Sequence, residues 1–89
     1  MWYVYILLCD QKTYYVGLTS NIDNRLRSHK SKENIATKEF SGLELVYIEK
    51  YKTRRATEKR ERQIKGWSKA KKKALIEGDV ELLKKLSKS

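Results

Sequence analysis

At 89 residues and 10.6 kDa, the chain has room for one small domain with a thin core, which excludes two-subdomain cofactor folds. Charged residues make up 36% and hydrophobic residues 39%, and 21 Lys and Arg against 11 Asp and Glu leave a net charge of +10. A single cysteine and a single histidine exclude an internal disulfide and a Cys/His zinc site.

The charge is uneven. Residues 1–50 carry 7 basic and 6 acidic side chains, whereas residues 51–89 carry 14 and 5. A basic surface of this kind attracts polyanions, nucleic acid and anionic membranes first among them. Solubility charge on lysine-rich helices is the other reading. Residues 1–8 lack a basic segment and are too short for a secretory signal, and no apolar stretch approaches the roughly 18 residues of a membrane span. Cys9 reads as a small strand-end residue in a reducing compartment, so a cytoplasmic location with no membrane partner is expected.

Residues 2–8 (WYVYILL) are aromatic and β-branched and predict a strand buried on both faces. Residues 9–13 are turn-like, and residues 14–18 predict a second strand, so the two form an antiparallel hairpin with a five-residue loop. Thr19, Ser20 and Asn21 are N-cap candidates for a helix over 21–31, with Ile22, Leu26 and His29 on its buried stripe. Residues 32–42 are polar and predict a loop, and residues 43–51 predict a third strand. A helix follows over 53–67, with Ala56, Arg60, Ile64 and Trp67 along its inward side and Gly66 near its stop. Ser68 caps a short helix that Gly78 ends. Asp79 caps a last helix over about 79–87, whose Val80, Leu82, Leu83 and Leu86 are expected to close the core. The order β-β-α-β-α-α-α predicts an α+β fold, a small three-stranded antiparallel sheet flanked by helices, in one domain over 1–89 with its core at about 2–77.

No phosphate-binding glycine loop and no Ser-His-Asp set is visible. Asn21, Arg25 and His29 share one helix face at i, i+4 and i+8, with Arg25 at the border of the buried stripe. Tyr5 and Tyr15 lie on neighbouring strands, where tyrosines usually pack. On the 53–67 helix, Glu58 points to solvent and Glu61 falls at the flank, so Glu61 is either a site carboxylate or a solvated ion-pair partner.

These residues together resemble the GIY-YIG nuclease signature. Tyr3-Val4-Tyr5 is followed by Tyr15-Val16-Gly17, with Tyr15 ten residues beyond Tyr5. Thr19 and Asn21 come just after the glycine. Arg25 lies eight residues past Gly17, His29 four further on, and Glu61 sits in the later context Arg60-Glu61-Arg62-Gln63-Ile64-Lys65-Gly66-Trp67. The resemblance covers residues 2 to about 77 and extends to a small stand-alone subfamily related to the N-terminal domain of a bacterial excinuclease. Leu18 stands where excinuclease-type members carry a lysine. The resemblance implies a Mg²⁺- or Mn²⁺-dependent DNA endonuclease of low sequence specificity, acting in repair or recombination. An inactive or weak nucleic-acid-binding protein on the same fold is the alternative. It implies Tyr5, Tyr15, Arg25, His29 and Glu61 as catalytic residues, with Glu61 also holding the metal. Gly17, Thr19, Asn21, Arg60, Lys65, Lys69, Lys71 and Lys72 are then expected along the DNA, mainly on its phosphates.

Overall fold

The unbroken apolar run near the N-terminus forms β1 (Trp2–Cys9), the central strand of the molecule. The computed structural model describes residues 1–30 and 42–88. β2 (Thr13–Thr19) and β3 (Leu43–Tyr51) flank β1 in the order β2-β1-β3, both antiparallel to it. A strand covered on both faces has no polar side to show, and Val4, Tyr5 and Ile6 are fully buried with Leu7 at 1% exposure.

The hairpin turn is tighter than expected. Cys9 pairs with Thr13, the Lys12 N–H donates to the Cys9 carbonyl at 3.0 Å, and Asp10 and Gln11 both take positive φ. Two residues in the left-handed region match the strand twist, and aspartate tolerates that region better than most. Asp10 also ties down the start of β3. Its N–H donates to the Gly42 carbonyl at 2.7 Å, and its Oδ1 accepts the Gly42 N–H at 2.6 Å. The loop expected over 32–42 lies, Gly42 apart, outside the described residues. In β3, Val46 is an extra residue opposite the Ile6–Leu7 step and bulges the strand.

Among the described residues there are four helices: α1 (Ile22–Lys30), α2 (Arg54–Lys65), α3 (Lys69–Glu77) and α4 (Val80–Lys88). Each start has a side-chain cap. Asn21 Oδ1 accepts the Asn24 N–H, Thr53 that of Ala56, Ser68 that of Lys71 and Asp79 that of Leu82. Gly78 ends α3 at φ 72°, a conformation that favours glycine, whereas Gly66 ends α2 in ordinary helical geometry.

The alternation of β1 divides the core in two. On one face Tyr5, Leu7 and Cys9 meet Tyr15, Leu43 and the α1 stripe of Ile22 and Leu26. On the other, Val4, Ile6 and Val16 pack against Ile64, Trp67, Leu75 and Ile76. Two expectations are corrected here. The inward side of α2 is centred on Thr57 and Ile64, both fully buried, and Ala56 is exposed. Thr57 can face inward because its hydroxyl donates back to the Thr53 carbonyl at 2.7 Å, which leaves only its methyl to pack. The last helix does not close the core either. It packs on α3, with Val80 57% and Leu82 42% exposed, because the sheet face is already filled by α2 and α3.

Candidate active site

The site begins with a missing side chain. Tyr5 on β1 lies directly opposite Gly17 on β2. A Cβ at Gly17 would sit 2.4 Å from the Tyr5 hydroxyl and 2.5 Å from Cζ. Glycine is therefore the residue that lets the tyrosine ring cross the edge strand, and this explains the Tyr…Gly pairing in physical terms. The hydroxyl thus projects toward β2, an edge strand of the sheet among the described residues.

Three rings meet there. The Tyr5 hydroxyl and His29 Nε2 are hydrogen-bonded at 3.0 Å. The Tyr15 ring stands edge-on to His29 at 5.3 Å and tilted to Tyr5 at 6.4 Å. Burial, with Tyr15 nearby, raises the Tyr5 hydroxyl far above the usual tyrosine range, Glu61 adds to the rise, and Arg25 partly opposes it. Burial, and then Arg25, lowers His29 below its ordinary value. Both partners of the hydrogen bond are therefore neutral near pH 7. His29 is fully buried, so its Nε2 reaches the site through Tyr5 rather than touching a ligand itself.

The charged groups come from both faces of the sheet. Arg25, half-buried on α1, acts on Tyr5 and His29, and Glu61 on α2 acts on Tyr5 from the other side. The Glu61 side chain is 15% exposed and its Oε1 lies 3.4 Å from Lys65 Nζ. One turn beyond Thr57, it lies closer to the inward face than the expected flank, because that face is centred on Thr57 and Ile64. Tyr5, Tyr15 and His29 thus meet beside β2, Arg25 stands one turn from His29 on α1, and Glu61 acts on the Tyr5 hydroxyl from α2.

The expected DNA-contacting residues divide. Thr19 is buried, and its Oγ1 accepts the Asn21 N–H and donates to the Asn21 carbonyl, each at 3.1 Å. Thr19 and Asn21 therefore shape the entry to α1, and together with Arg25 and Ser28 they line a polar depression of about 450 Å³. Lys65 is held near Glu61, and Lys71 Nζ lies 4.3 Å from the Trp67 ring centre. Lys69 is exposed and Lys72 half-buried.

Arg60 is committed elsewhere. Its Nε and one terminal nitrogen donate to Glu49 at 3.0 and 3.1 Å, the other terminal nitrogen donates to Gln63 at 2.8 Å, and the guanidinium lies over Trp67. Glu49 also accepts the hydroxyls of Tyr47 and Tyr51. Burial pushes the Glu49 carboxyl up, but the bonds from Arg60, Tyr47 and Tyr51 outweigh it and hold the group below its usual range. Sequence reasoning misses this network. The period-two recurrence of Tyr47, Glu49 and Tyr51 is its available signal, since it puts all three on one strand face.

Among the described residues no group of three His, Cys, Asp or Glu side chains could cage a metal. A single half-buried carboxylate fits a hard divalent cation that keeps most of its waters, as magnesium does. No helix is long and apolar enough to cross a membrane among the described residues.

Comparison with known proteins bears on the family and the fold. Residues 1–74 match the model of the GIY-YIG catalytic domain. A UPF0213 protein of Syntrophus aciditrophicus is 43% identical over 81 residues, covering 89% of this chain and 93% of its own. A UPF0213 protein of Natronomonas pharaonis is 37% identical over 75 residues, covering 83% and 88%. The solution NMR structure of a UPF0213 protein from Bacillus halodurans superposes with a TM-score of 0.57 at 29% identity, covering 86% of this chain and 84% of that one.

Proposed function

The chain belongs to the GIY-YIG catalytic-domain family, and from that premise we propose that it is a divalent-metal-dependent DNA endonuclease, hydrolysing phosphodiesters with little sequence preference in repair or recombination. The observation that carries this reading is the Tyr5–Tyr15–His29 cluster packed over Gly17, with Arg25 one turn from His29 on α1 and the Glu61 carboxylate acting on Tyr5 from α2.

A phosphodiester repels nucleophiles, so hydrolysis needs an oriented water and positive charge around the phosphorus. Arg25 forks onto two phosphate oxygens, a geometry that guanidinium permits and ammonium does not. Tyr15 orients the water whose oxygen bonds to phosphorus. As the P–O3′ bond breaks, the water's proton passes through the Tyr15 hydroxyl to solvent and the departing 3′-oxygen takes a proton from solvent. Tyr5 and His29, held neutral and bonded to one another, pack against the Tyr15 ring and keep it in place. Glu61 holds Mg²⁺ or Mn²⁺, which supplies positive charge for the transition state when bound. Lys65, Lys69, Lys71 and Lys72 add sequence-independent attraction to the DNA backbone in the cytoplasm.

A weak or inactive DNA-binding role is the second reading. It is favoured by Leu18 at the family's lysine position and by the Lys65 ammonium already 3.4 Å from Glu61. The test is incubation with supercoiled, nicked, branched and single-stranded DNA in Mg²⁺, Mn²⁺ or EDTA. Metal-dependent cleavage that disappears in Glu61→Gln and Arg25→Ala supports the nuclease. Binding without cleavage in either metal, unchanged by Glu61→Gln, leaves the binding role.

A further inference from the structure

The start of β2 carries a second basic feature, in which Lys12 joins two of the lysines already given a diffuse role on the DNA backbone. Lys12 and Thr13 from the hairpin, Tyr14 from β2, and Lys69 and Lys72 from α3 line a pocket of about 260 Å³. No carboxylate lines it, and among the described residues none of these lysines is held in an ion pair. Three lysines from two parts of the chain border one pocket, so an anion seated there would be attracted by all three. Lys69 and Lys72 stand one turn apart in the first half of α3, where the helix dipole favours an anion as well. The Thr13 hydroxyl is a further donor for a phosphate oxygen.

Position identifies the ligand class. Thr13 begins β2 and Thr19 ends it, so the lysine pocket and the Arg25 depression lie at opposite ends of the same edge strand. Six residues of strand span about 20 Å. Along a DNA strand, phosphates advance about 3.4 Å per nucleotide along the helix axis, so the separation corresponds to about six nucleotides. The Tyr5–Tyr15–His29 cluster lies between the two features, where the Tyr5 ring crosses Gly17.

We propose that Lys12, Lys69 and Lys72 form a clamp on the DNA backbone about six nucleotides from the phosphate held by Arg25, so that the substrate lies along the β2 edge. Resting on the DNA reading above, this assigns Lys12 a role and gives the bound DNA a direction. The clamp reads charge and spacing, and no bases.

The test is fluorescence-anisotropy binding in EDTA, across a salt series, of duplexes from 6 to 20 base pairs. The variant is Lys12→Gln/Lys69→Gln/Lys72→Gln, compared with Arg55→Gln/Lys59→Gln/Arg62→Gln, which removes equal charge from the solvent face of α2. For wild type, affinity should rise steeply once the duplex is long enough to reach both features. The clamp variant should lose this rise, bind the 20-base-pair duplex at least about tenfold more weakly, and have a salt slope shallower by about 2.7. Equal losses in the two variants, or wild-type binding by the clamp variant, would overturn the proposal. Cleavage is scored separately. A protein that cuts nothing yet shows these binding differences keeps the clamp and loses the nuclease reading.

Discussion

Two carboxylates on the α2 side of the sheet, one on β3 and one on α2 itself, have nearly the same exposure, 16% for Glu49 and 15% for Glu61, and opposite surroundings. Glu49 is saturated by Arg60, Tyr47 and Tyr51. Glu61 faces one ammonium at 3.4 Å whose own side chain is 52% exposed. A saturated carboxylate gains its worth from the fold and has no lone pair to spare. A carboxylate with one mobile partner retains capacity for a cation. Half-burial alone therefore does not mark a functional acid, and the partner count does.

Exchanging each carboxylate for its amide is the strongest way to break this comparison. Glu61→Gln should reduce DNA cleavage at least about 100-fold and change stability by less than about 1 kcal/mol, because it removes charge from the transition state and only one weak ion pair from the fold. Glu49→Gln should do the reverse, lowering stability by about 3 kcal/mol in a urea titration while cleavage per folded molecule is retained. Matching phenotypes in the two variants would show that the carboxylates are not functionally distinct.

Gly17→Ala comes next. The new methyl meets the hydroxyl end of a buried ring, so the ring must leave its seat. We expect about 2 kcal/mol of destabilisation and loss of the ring contact between Tyr15 and His29, visible as shifted aromatic NMR resonances. Wild-type spectra from this variant would mean that the Tyr5 ring does not need the glycine.

Acid titration separates the two regions by pH. His29 is held below its ordinary 6.5, so below that pH the unfolded chain binds a proton that the folded one resists, and stability falls as pH drops. Glu49 is held below its ordinary 4.5, so its contribution is present above that value and fades at lower pH. The urea midpoint should therefore decline in two stages, and His29→Gln should remove only the first. The alkaline side does not discriminate, since Tyr5 and Tyr47 are both raised above 10.0 and both lose stability as pH rises through that range. The smallest effect should be that of Lys73→Ala, about 0.3–0.5 kcal/mol by thermal melting, because its i,i+4 pair with Glu77 is exposed to solvent.

Much of the fold is legible in the sequence because its signals are local. The caps at Asn21, Thr53, Ser68 and Asp79 follow from side chains that can accept the orphan N–H groups of the first turn. The apolar run of β1 indicates burial on both faces. The inward face of α2 departs from its expected centre because Arg60 and Glu61 are both half-buried for different reasons. Helix periodicity sees only which residues share a face, and cannot see that Glu49 waits opposite one of them.

Sequence alone therefore determined the order of elements, their ends and the spacing of the site residues, since each depends on contacts within a few residues along the chain. Tertiary structure decided which polar groups meet. It brought Arg60 to Glu49 and His29 to the Tyr5 hydroxyl, passed that hydroxyl over Gly17, and left α4 at the margin of the core. Those outcomes depend on how two helices share the faces of one narrow sheet, and no local preference encodes that arrangement.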